Sequence, residues 1–191
     1  MIGRRVLSGC ILALAPVLGA GCGTEPELQP VRPARPAPPQ TAMLDWRESY
    51  GASGQALRFV VDELRLTAEG WVADVAVAND TRVPWRIERR GTASRFGVQL
   101  FADDDLEALE QASQEGRLPP ERRARSFEPE PPTVLQPGVE WRGTISAPGK
   151  LPGGAYVRVV FGPFVALSEP PEGLQSPVVW ITDHAHRLAS R

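Results

Sequence analysis

The residues with the most chemistry to offer lie at the two ends of the chain. Near the C-terminus runs Asp183-His184-Ala185-His186, which holds both histidines of the sequence. In an extended segment His184 and His186 point to one side and Asp183 to the other. Two imidazoles on one face are candidate ligands for zinc, copper or nickel, given further donors from elsewhere. The opposing reading is a solvated tail, because chain ends fray. With no other histidine, a serine hydrolase would have to take its general base from this tail. No Gly-x-Ser-x-Gly elbow is present, and Gly51-Ala52-Ser53-Gly54 reads as a turn.

At the N-terminus the chemistry is covalent. Arg4 and Arg5 precede a mostly apolar run, Val6 to Ala20, of 15 residues. A helix needs roughly 20 apolar residues to cross a bilayer. A basic start, a short apolar core and small residues at its end form the pattern of a secretory signal, with a transmembrane anchor as the competing reading. The run ends Leu18-Gly19-Ala20-Gly21-Cys22, which resembles the lipobox of bacterial lipoproteins, where diacylglycerol is joined to the cysteine by a thioether before cleavage. Leu7-Ser8-Gly9-Cys10 has a similar form, but it comes before any apolar core. The resemblance therefore implies a signal peptide over residues 1–21 and lipidation at Cys22. It also implies a body tethered to a membrane through its N-terminal lipid, with no thiol left for a disulfide. Each buried methylene contributes about 0.8 kcal/mol, so two or three acyl chains anchor firmly. Gly23 stands where such proteins commonly carry an aspartate for inner-membrane retention. The expected location is the bacterial cell envelope: the periplasmic face of the outer membrane in a Gram-negative cell, otherwise the outer face of the cell membrane.

The remaining charged clusters have plainer readings. Asp103-Asp104-Asp105 lacks the alternating ligands, central glycine and terminal glutamate of a calcium loop, and it suits a helix N-terminus. Asp62-Glu63 and Glu128-x-Glu130 could serve acid–base chemistry, but neighbouring strand positions face opposite ways. Arginines gather at Arg86, Arg89 and Arg90, and at Arg122, Arg123 and Arg125. Such patches suit an anionic envelope polymer or lipid, or plain solvation beside Glu128 and Glu130. A net charge of -2 gives no field that would draw nucleic acid. No glycine-rich phosphate loop is present, and no cofactor is implied.

The elements that position these groups read as mainly β. Residues 22–44 carry the lipidated cysteine and six prolines with few large apolar residues, the composition of a disordered linker. Core residues begin at Asp45, so residues 45–191 form the expected domain, large enough for one hydrophobic core. Leu57–Leu66 is a first extended region. Trp71–Asn79 alternates with a period of two, placing Trp71, Ala73, Val75 and Val77 on one face. Val83–Ile87 is a short strand that Pro84 assigns to an edge. Phe96, Val98 and Leu100 alternate in the next strand. Residues 106–114 form a helix with Leu106, Leu109 and either Ala112 or Ser113 on one side, and Gly116 ends it. Residues 117–132 read as a polar loop with five prolines. Strands resume at Val139–Ser146, Tyr156–Phe161 and Val178–Thr182. Seven to eight short strands separated by turns predict a two-sheet sandwich, with a partly open barrel as the alternative. Trp141 and Trp180 are expected between the sheets. Trp85 is either buried or a recognition aromatic near the edge.

Two segments carry a further resemblance. Val75-x-Val77-x-Asn79-Asp80-Thr81-x-Val83-Pro84 is similar to a strand-and-turn segment of immunoglobulin-like domains on many bacterial lipoproteins, the telokin-like group of unknown function. Leu135-Gln136-Pro137-Gly138-Val139-Glu140, the strand after it, and Tyr156–Phe161 resemble the turn and strands that follow in those domains. The resemblance spans about residues 56–165. It implies an immunoglobulin-like sandwich with one helix insertion and an envelope location, and it transfers no catalytic residue. The expected role is a membrane-anchored binding or structural module, not an enzyme, with an envelope protein or polymer as partner. Loops 81–95 and 116–136 are the candidate contact surfaces. The alternative is an envelope metal carrier using Asp183, His184 and His186.

Overall fold

The computed structural model describes residues 35–88 and 94–190. The expected signal peptide, Cys22 and the linker as far as residue 34 lie outside the described residues, as do Arg89 and Arg90. In chain order the elements are β1 (Gln40–Ala52), β2 (Gln55–Leu66), β3 (Gly70–Asn79), β4 (Trp85–Ile87), β5 (Gly97–Phe101), α1 (Leu106–Gln114), β6 (Arg122–Arg123), β7 (Ser126–Glu128), β8 (Val134–Leu135), β9 (Glu140–Pro148), β10 (Tyr156–Ala166), β11 (Val178–Ile181) and β12 (His186–Arg187). They form two antiparallel sheets, the β-sandwich expected from the alternating pattern. The first sheet runs β1-β2-β3-β9-β7, and the second runs β6-β5-β10-β4-β8 with β11 and β12 also on β10.

β10 organises the second sheet. Phe164 pairs with Ile87 of β4 and with Val178 of β11, so these strands lie on opposite edges of β10. β4 and β5 follow one another along the same edge, since Val160 pairs with Gly97 while Val165 pairs with Arg86. Glu88 and Arg95 donate backbone N–H groups to Pro163 and Gly162, which closes the excursion between these two strands. Pro84 therefore does not mark a sheet edge. It precedes the first residue of β4, where its missing N–H costs nothing, and β4 is paired on both sides.

The facing sides of the two sheets meet through aromatic rings. Phe59 of β2 stacks on Trp180 of β11 at 5.4 Å and 5°, and meets Phe161 of β10 at 5.2 Å. Phe96 stands edge-on to Trp141 of β9 at 6.2 Å and to Phe127 of β7 at 5.6 Å. Both expected inter-sheet tryptophans are thus in place. Trp71 and Trp85 are buried, and the Trp85 Nε1–H donates to Thr81 Oγ1 at 3.0 Å, so Trp85 is a core residue.

Three boundaries differ from the sequence reading. The fold begins ten residues before Asp45. Arg35 and Ala37 hydrogen-bond to Gly153 and Leu151, and β1 opens at Gln40. The prolines of residues 36–39 conceal this start, because they end just where the alternation begins. The stretch 116–136 is no simple loop: it supplies β6 and β8 to one sheet and β7 to the other. Finally, the C-terminal tail is part of the sandwich. His186 and Arg187 pair with Val157 and Tyr156, and Leu188 is buried.

Candidate binding groove

The C-terminal histidines are placed by a carboxylate that the sequence reading did not single out. Glu48 projects from β1 with its side chain only 4% exposed. Its Oε2 accepts from Trp180 Nε1 at 2.7 Å and from the Asp183 backbone N–H at 3.0 Å. Its Oε1 accepts from the His184 backbone N–H at 3.1 Å and lies 2.7 Å from His184 Nδ1. The His184 ring also stacks on Trp46 at 5.8 Å. Glu48 therefore fastens the end of β11 to the first strand of the opposite sheet. His186 sits in β12, half-buried, where burial lowers its pKa from the ordinary 6.5. Burial, and then the charge of Glu48, raises the pKa of Asp183. Among the described residues, no three His, Cys, Asp or Glu side chains converge on a point where a metal would sit. Through the bonds of Glu48 to Trp180, Asp183 and His184, the arrangement makes a clasp between the sheets.

Arg158 is the second group that sequence reasoning missed. It stands in the middle of the apolar run Tyr156–Phe161, opposite Gln99, and is wholly buried. Its guanidinium donates to the carbonyls of Thr182 at 2.8 Å and Asp104 at 2.8 Å, and to that of Asp183. It also lies 5.6 Å from the Phe101 ring centroid. Burial lowers its pKa, against the pull of the nearby carboxylates. A lone arginine in a hydrophobic run was the available signal. Asp103, Asp104 and Asp105 are accounted for by the same region. Asp105 caps α1 through the N–H groups of Glu107 and Ala108, Asp103 accepts from the Asp105 N–H, and Asp104 offers its carbonyl to Arg158. Asp62 is bonded to Arg47 and Arg142, and Glu63 to Arg65, all at the surface. Of the first arginine cluster, Arg86 pairs with Glu88 at 2.7 Å.

The two expected contact loops meet in one place. Odd-numbered residues of β10 (Val157, Val159, Phe161) face the core, so Arg158 and its neighbour Gln99 belong to the outer face of the second sheet. α1 and the chain after it cover part of that face. Gly116, at φ +66°, takes the left-handed conformation that ends the helix and turns the chain back. The Arg117 N–H donates to Ala112 O at the same end. The chain then passes over β5, where Gln99 Nε2 donates to Pro119 O at 2.8 Å. Between this segment and β11 lies an open groove of about 730 Å³, a size suited to a small ligand or a short peptide. Val179 and Ile181 contribute from β11, Leu118, Pro119 and Pro120 from the covering segment, and Arg95, Glu121 and Arg123 are its charged side chains. Glu121 is 5% exposed and is shared by Arg95 and by Arg123, whose Nε lies 3.4 Å away. Gln99 is buried, and its Oε1 meets no protein donor. No family model, curated protein or solved structure matches the chain.

Proposed function

We propose that this chain is a lipid-anchored lipoprotein of the bacterial envelope, held at the membrane through Cys22, and that its immunoglobulin-like sandwich is a binding module. The anchor reading is supported by the order of basic, apolar and small residues over 1–22 and by the fit of Leu18–Cys22 to a lipobox. Among the described residues no helix is long and apolar enough to cross a membrane. The observation that carries the binding reading is the groove on the outer face of the second sheet. It gathers apolar walls, paired cationic side chains and a buried amide oxygen without a donor. Both sequence-flagged loops contribute to it, through Arg95 and through Leu118–Arg123. It acts by holding a guest, not by turnover.

Photo-cross-linking in intact cells tests this reading. A photoreactive residue is placed at Leu118 in the groove or at the exposed Met43 of β1. Binding through the groove gives a specific envelope adduct from position 118 that is absent from position 43 and diminished by Cys22→Ser. Equal labelling from both positions, or none from either, refutes it. Point labelling is the suitable perturbation, because excising residues 116–136 would remove β6, β7 and β8.

A further inference from the structure

The lining of the groove narrows what it can hold, and the inference drawn from it rests on the binding reading above. Val179 and Ile181 on one side and Leu118, Pro119 and Pro120 on the other present hydrocarbon. Pro119 and Pro120 have no backbone N–H, so that stretch offers acceptors and no donors. Gln99 donates one amide N–H to Pro119 O, and its Oε1, with no protein donor, is closed off beneath that segment. The Pro119–Pro120 carbonyls favour a guest that brings N–H groups.

The rim asks for the opposite charge. The Glu121 side chain is 5% exposed, whereas those of Arg95 and Arg123 are 44% and 43% exposed. The carboxylate lies inside and the guanidiniums look outward. The charged side chains lining the groove, Arg95, Arg123 and Glu121, sum to a net charge of +1. A planar guanidinium matches a carboxylate in two parallel hydrogen bonds. A phosphate-rich polymer suits this site less well. Glu121 stands between the two arginines, and phosphates bring acceptors to a Pro119–Pro120 stretch that has no N–H.

We propose that the groove takes a short extended peptide bearing a carboxylate. The carboxylate sits at Arg95 and Arg123, aliphatic side chains lie against Ile181 and Leu118, and peptide N–H groups face the donor-free Pro119–Pro120 backbone.

The test uses the full chain in detergent micelles and fluorescence anisotropy. The probes are a labelled tetrapeptide amide ending in glutamate and the matched tetrapeptide amide ending in glutamine. The glutamate peptide is expected to bind saturably and about ten-fold more tightly than its partner, one charge-assisted contact in an affinity. Arg95→Gln is expected to remove that preference, and Gln99→Leu to weaken both peptides alike. Thermal melting of each variant separates lost binding from lost folding, and Arg123→Gln provides a second removal of rim charge. Equal affinity for the two peptides, an unchanged preference in both arginine variants, or displacement by inorganic polyphosphate in preference to the glutamate peptide would overturn the proposal. If neither peptide binds while Leu118 still captures a partner in cells, the ligand class falls and the binding reading stands. If Leu118 also captures nothing, both fall.

Discussion

Asn79 offers the sharpest test of how the fold is held. It is completely buried at the end of β3 and its amide makes four hydrogen bonds. Oδ1 accepts from the Thr81 N–H at 2.9 Å and from Thr81 Oγ1 at 2.7 Å. Nδ2 donates to Val83 O at 2.8 Å and Leu135 O at 3.0 Å. Its backbone exchanges bonds with Val139 and Gly138. The side chain thus joins the turn after β3 to the end of β8, and the backbone ties β3 to the turn before β9. At about 1 kcal/mol net per bond, Asn79→Ala should cost about 4 kcal/mol. For a domain of this size, that lowers Tm by about 8–16 °C. Asn79→Asp keeps the acceptor but sets a second oxygen against two carbonyls, so the buried carboxyl must be protonated to donate. Its folded pKa is raised above the unfolded value. The stabilising protonated form is full below the unfolded pKa and is lost as pH rises through the folded pKa. The Tm deficit of Asn79→Asp should therefore shrink on going from pH 7 to pH 4, while that of Asn79→Ala should stay constant. Asp80→Ala is the control. It breaks an ion pair with Arg58 in which both side chains are more than a third exposed, so it should cost less than about 1 kcal/mol. Differential scanning calorimetry across pH reads all three. An Asn79→Ala loss below about 3 °C, or an Asn79→Asp deficit that does not narrow in acid, would refute the reasoning.

Three further outcomes are expected. Arg158→Leu leaves the buried Thr182 carbonyl and the part-buried carbonyls of Asp104 and Asp183 without their donor and should cost about 3 kcal/mol by chemical denaturation, with Arg158→Lys intermediate; a loss under 1 kcal/mol would show the guanidinium to be dispensable. His186, whose pKa burial depresses below 6.5, contributes stability that is full above the unfolded pKa and lost as pH falls through the folded one. Tm should thus fall as the medium is acidified below pH 6.5, and His186→Leu should flatten that fall; identical pH profiles would contradict the assignment. Gly97→Ala places a Cβ against the backbone of Arg122 and Arg123, prising β6 off β5 at a cost of about 1–3 kcal/mol, and amide exchange should show it as deprotection at residues 122–124.

Local pattern and local chemistry were legible in the sequence. The alternation of Trp71, Ala73, Val75 and Val77 marks β3 because one face meets the core and the other does not. The α1 boundaries follow from a capping aspartate and a terminating glycine, each of which acts within one turn. Of the residues on the Leu106–Leu109 side of α1, only Leu109 is buried, and Leu106 is exposed. What sequence could not display is partnership at long range. β1 is stabilised by β2 and by Glu48, whose partner His184 is 136 residues away. β6, β7 and β8 have two or three residues each and exist through the strands beside them, so their prolines and charges read as a loop. Similarly, both loops of the groove were visible as loops, but not that Gly116 folds one back over β5. Asn79 also explains why two resembling segments belong together: Leu135 receives the hydrogen bond that Asn79 donates.

The way the chain enters the sandwich has a mechanical side. Ala37 donates to Leu151 O and Gly153 donates to Arg35 O, both at 2.8 Å, before β1 begins. Leu151 is itself packed into the core. Among the described residues β1 has a ladder only on its β2 side, and a terminal ladder can be peeled bond by bond. A pull arriving from the N-terminal side first loads the Arg35–Ala37 fastening, which presses on the connection between β9 and β10. The tension therefore passes into β9 of one sheet and β10 of the other before it reaches the edge strand. Under the N-terminal anchoring proposed above, β1 would be shielded from peeling until the Arg35–Ala37 fastening gives way.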